Sequence, residues 1–76
     1  MNANRRGRLN DALKMLSSVA VIVESVCDKE EDCLDNYPEN LQSTERFGKI
    51  EDAVDNLNEA LEKIDDAKGY IESAIR

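Results

Sequence analysis

Apolar side chains recur along this chain at alternating intervals of four and three residues. Leu9, Leu13, Leu16, Ala20, Val23, Cys27 and Leu34 keep that spacing, with Glu30 filling the remaining place. Ile50, Val54, Leu57, Leu61, Ile64, Ile71 and Ile75 keep it again, with Lys68 as the exception. This is the a/d periodicity of packed α-helices. A third row runs beside each series: Ala12, Val19, Val26 and Cys33 in the first segment, and Ala53, Ala60, Ala67 and Ala74 in the second. An alanine row leaves little side chain to hold a neighbouring helix away. The pattern predicts two long helices, over about residues 9–35 and 44–75, in an all-α antiparallel helical hairpin. Val19 to Val23 is β-branched at four of five positions and read alone would pass for a strand. The heptad rows run through it unbroken, so packing overrides that preference.

Between the helices lies DNYPENLQST, which holds the only proline. Asn36 suits a left-handed residue closing the first helix. Tyr37 is pushed toward extended backbone by the proline behind it. Pro38 can open a single turn over PENL, after which Ser43 or Thr44 caps the second helix with Glu45 in its first turn. The stretch therefore reads as a connection of about eight residues between antiparallel helices. Residues 1–8, carrying Arg5, Arg6 and Arg8, are expected to form a flexible basic arm.

Each helix shows more apolar surface than one partner helix can hide. Two helices facing only each other bury a two-row seam, and these display three rows, which Met15, Val21 and Ile22 broaden further on the first. Uncovered apolar surface on so small a body marks a contact site. Self-association is expected through Leu9, Met15, Leu16, Val19, Ile22, Val23, Leu57, Leu61, Ile64 and Ile71, with a homodimeric four-helix bundle of coiled-coil type as the simplest solution. Glu30 and Lys68 interrupt the seam near opposite ends of the hairpin. They are candidates for an orientation-setting pair across an antiparallel dimer, although snorkelling of both side chains to solvent is the simpler reading.

Composition removes most chemistry. The chain has 76 residues, two cysteines and no histidine, which limits it to one small domain and takes away the usual general base and metal ligand. Cys27 and Cys33 are about 120° apart on a helix, too divergent to share a disulfide or a metal, and both are expected as buried thiols on packed rows. Asp28, Glu30, Asp32, Leu34, Asn36 and Glu39 match the ligand spacing of an EF-hand loop. However, Cys33 stands where the turn needs glycine, and helical rows run through the segment. Ser17 and Ser18 have no activating partner. No enzyme activity, metal or cofactor is expected. The apolar run MLSSVAVIV is too short and too polar to span a membrane and lacks a cleavage site, which points to a cytoplasmic protein.

Charge adds one asymmetry. The net charge is −7, so taking away the three arginines of the first eight residues leaves −10 on the other 68. An acidic body disfavours nucleic-acid binding, which relies on Lys and Arg replacing counterions. The outward side of the second helix carries Glu51, Asp52, Asp55, Glu59, Glu62, Asp65 and Asp66. Such a line of carboxylates either keeps the protein dissolved or imitates nucleic-acid phosphates toward a basic protein groove.

The run DNYPENLQSTER, followed by an acidic helix, resembles a pattern of short phage and prophage proteins of Gram-positive bacteria, roughly DN-x-PENLQ-x-SER. Residues 24–64 carry the likeness, and Thr44 replaces the serine usual there while keeping the hydroxyl. The resemblance implies a mobile-element origin, a host-cell cytoplasmic setting and a helical hairpin. It implies no site residues. A non-catalytic protein that self-associates and binds a host protein, such as a defence nuclease, fits these features best. Two alternatives stay open. One is a binder of a small signalling nucleotide between protomers, drawing on Arg5, Arg6, Arg8, Lys14, Lys68, Tyr37, Phe47 and Tyr70. The other is an RNA-binding hairpin dimer, against which the acidic faces argue.

Overall fold

The computed structural model describes all 76 residues as two long helices joined by a short connection. Helix α1 spans Ala3–Asp35, α2 spans Glu45–Ile75, and a single 3-10 turn, Glu39–Leu41, lies between them. The helices fold back on each other into an all-α hairpin of 59 × 15 × 13 Å. Both helices match the apolar periodicity, and α1 runs through the β-branched stretch Val19–Val23 without a break.

Helix α1 begins earlier than the apolar rows imply. The Asn2 side chain accepts a hydrogen bond from the Arg5 amide at 2.9 Å and caps the helix from there. Arg5, Arg6 and Arg8 are consequently helical, not part of a flexible arm. The apolar pattern could not reveal this, because a polar first turn needs only a cap and no buried face.

The connection forms almost as its residues dictate. Pro38 has φ −58° and its carbonyl accepts from the Leu41 amide at 2.9 Å, closing the 3-10 turn. Thr44 caps α2, its hydroxyl oxygen accepting from the Phe47 amide at 3.4 Å while donating to the Leu41 carbonyl at 2.7 Å. Glu45 follows in the first turn, where its charge suits the helix dipole. Asn36 departs from expectation. Its φ is −98°, outside the left-handed region, and no residue of the chain has a positive φ. The Asn36 side-chain amide donates instead to the Asp32 carbonyl at 2.8 Å. That bond, with the backbone bond to the same carbonyl, ends the helix without a left-handed residue. Tyr37 and Phe47 then close the loop end, edge to face with ring centres 5.2 Å apart.

The seam between the helices is thin. Only Cys27 and Val54 are buried, at 2% and 8% exposure. The remaining a/d residues, from Leu9 to Leu34 and from Ile50 to Ile75, are half-buried. Glu30 and Lys68 share that intermediate environment, so their charged ends reach the edge of the seam. Two ion pairs exist, Lys49 with Glu45 and Lys63 with Glu59, each exposed and within α2. Neither links the helices, and pairs of this kind contribute a few tenths of a kcal/mol each. Apolar contact therefore holds the hairpin, and there is little of it.

Candidate interaction surface

Beyond half-buried Ala12, the third apolar row of α1 is left exposed by the hairpin. Val19 and Val26 are each 45% exposed, Cys33 is exposed, and beside them Met15 and Ile22 stand 68% and 64% open. Cys33 is thus no packed thiol, in contrast to Cys27. The difference follows from geometry: Cys27 belongs to the a/d series that faces α2, and Cys33 to the row about a quarter turn away. Met15, Val19, Ile22 and Val26 are spaced by four, three and four residues, so they form one straight strip along α1.

The strip and the alanine row lie on the same side of the molecule. Val26 and Glu30 of α1 share an open groove with Arg46, Lys49, Ile50, Ala53, Asn56 and Leu57 of α2. Helical periodicity carries the α1 edge of that groove on through Ile22, Val19 and Met15, and the α2 edge through Ala60 and Ala67. Residues expected to self-associate accordingly separate into two groups. Leu9, Leu16, Val23, Leu57, Leu61, Ile64 and Ile71 are half-buried along the hairpin's own seam, while Met15, Val19 and Ile22 remain free.

Carboxylates occupy other faces. Glu51, Asp52, Asp55, Glu59, Glu62, Asp65 and Asp66 are all exposed, with only Glu59 engaged in an ion pair, to Lys63 at 3.4 Å. Asp65 and Asp66 flank a shallow depression with Gly69, Tyr70 and Ser73. The hairpin thus separates an apolar strip edged by Arg46 and Lys49 from a carboxylate-rich flank. The EF-hand spacing has no loop to act in, since Asp28 to Asp35 belong to α1.

Cys27 marks the seam's most enclosed point. Its Sγ lies 3.7 Å from Glu31 Oε1 and 3.6 Å from Asn58 Oδ1, either of which can accept the thiol proton. Burial, and next the Glu31 charge with its hydrogen bond, push the thiol above its ordinary pKa. A protonated, enclosed thiol is a poor nucleophile. The thiol serves packing and polar satisfaction.

Glu30 and Lys68 are not brought together within one chain. Glu30 lies on the groove with Arg46 and Lys49 near the loop, whereas Lys68 lies toward the open end. The sequence pattern gave Arg46 and Lys49 no role, although Arg46 is in register with the alanine row, seven residues before Ala53. Lys49 lies one turn before Ala53, outside the apolar rows, and Arg46 two turns before it. No helix is long and apolar enough to cross a membrane. Comparison with known protein families, curated proteins and solved structures finds no match.

Proposed function

We propose that this chain is a non-catalytic interaction protein that self-associates through its open apolar strip and offers its carboxylate flank to a basic host protein. The observation that supports this reading is the separation of the two surfaces on one narrow hairpin. An apolar strip drives association with little directional demand, and the acidic flank repels phosphate while attracting basic grooves. The resemblance of DNYPENLQSTER to short phage and prophage proteins agrees with a mobile-element origin. A nuclease of host defence has the kind of basic cleft that such a flank would fill.

The test is a defined competition. A host protein captured by the full chain should be basic, bind at a fixed ratio, and be displaced by duplex DNA as salt-dependent electrostatics requires. Replacing Glu51, Asp55, Glu59 and Glu62 together by glutamine should lower capture at least tenfold. Equal capture by that variant would remove the acidic flank from the mechanism.

A further inference from the structure

We propose that the open apolar face is covered by a second copy of this chain, with the two loops at the same end of the resulting four-helix bundle. The proposal rests on the reading that the chain self-associates through this face, and adds the direction in which the two copies pair.

Area names the occupant. The hairpin exposes 5769 Å², whereas a compact protein of 8.5 kDa exposes about 4,700 Å². The excess of roughly 1,100 Å² is more than the ~800 Å² that each partner contributes to a standard stable interface. Charge selects the face. Each copy carries −7, so pairing through the carboxylate flank would oppose like charges. The apolar face places both Arg46 and Lys49 along its groove, and a pairing there keeps the acidic rows outward and apart.

Shape selects the direction. The apolar part of the face is uneven, with Met15, Ile22 and Val26 on its α1 half and the alanine row on its α2 half, flanked there by the polar Arg46, Lys49 and Asn56. Well-packed layers set large side chains against small ones. The Cys27 thiol meets the Asn58 side chain and the Tyr37 ring meets Phe47, so residue n of α1 is level with about residue 84 − n of α2. A two-fold axis parallel to the helices lays α1 over the α2 of the second copy. Ile22 then rests on Ala60 of the second copy and Met15 on its Ala67. Glu30 comes within reach of Lys49 of the second copy, twice over by symmetry. A two-fold axis across the helices would instead set bulk on bulk and alanine on alanine. That arrangement, with loops at opposite ends, is the one that would bring Glu30 level with Lys68 of the other copy.

Loop-to-loop distance separates the two. The full chain carrying Cys33→Ser and Gln42→Cys receives one nitroxide spin label in the loop, with Cys27 protected by burial. Pulsed dipolar spectroscopy on the dimer should give a label separation under about 30 Å, because neighbouring helices are ~10 Å apart. A separation near the 59 Å length of the hairpin would overturn the direction while leaving self-association intact. A monomeric mass at every concentration would overturn both. Adding Ile22→Ser should abolish the dipolar signal; an unchanged distance would overturn the choice of face.

Discussion

The Cys27 thiol stands 3.6 Å from the Asn58 side-chain oxygen, the one polar contact that crosses between the two helices. It lies at the best-enclosed position of the molecule, and its behaviour reports whether the seam is closed. Alkylation followed by mass spectrometry should modify exposed Cys33 quickly and Cys27 only on unfolding, at a rate at least tenfold lower. Equal rates at the two thiols would show that the helices separate readily.

The raised pKa of the same thiol has a consequence for stability. Below 9.0, the ordinary thiol value, folded and unfolded chains both hold the proton and nothing is lost. Above it the unfolded chain ionises first, so stability falls as pH rises through the folded pKa. The urea midpoint of the wild type should therefore decline more steeply above pH 9 than that of Cys27→Ala. Parallel declines would assign the effect to other groups.

Thr44 joins the turn to α2 through two hydrogen bonds. Thr44→Ala should cost about 1 kcal/mol by chemical denaturation, whereas Thr44→Ser, which keeps the hydroxyl, should stay within roughly half of that. A harmless alanine would mean that the cap is not rate- or stability-determining in this loop.

Val54 is the only aliphatic residue that the hairpin buries. Val54→Ala removes two methyl groups' worth of burial and should cost about 1.5 kcal/mol. Ile22→Ser, on the open strip, should leave the helical content of the folded chain unchanged at high concentration while weakening self-association. If both variants merely lowered stability equally, the strip would be acting as part of the hairpin core.

Most of the architecture was legible because it depends on periodicity. The four-and-three spacing from Leu9 to Leu34 and from Ile50 to Ile75 survives any local preference, so the helices and their seam could be read directly. The turn at Pro38 and a hydroxyl cap at Ser43 or Thr44 were legible because their chemistry leaves few conformations open, and the fold selects Thr44. Asn36 was misread, since a left-handed residue and a side-chain hydrogen bond to Asp32 are both consistent with asparagine. Cys33 was misread as packed because a third apolar row predicts burial only if something covers it. The helical arginines were missed because Asn2 is a cap with no apolar residue behind it. Which side of the hairpin the alanines share with Met15 and Ile22 required the fold, because helix pairing fixes it.

Self-association is the claim on which the rest turns, and sedimentation equilibrium measures it most directly. Across micromolar to millimolar concentrations, the wild type should approach twice its 8.5 kDa chain mass, and Ile22→Ser should remain nearer to one. A wild type that stays folded at 8.5 kDa throughout that range would contradict the account.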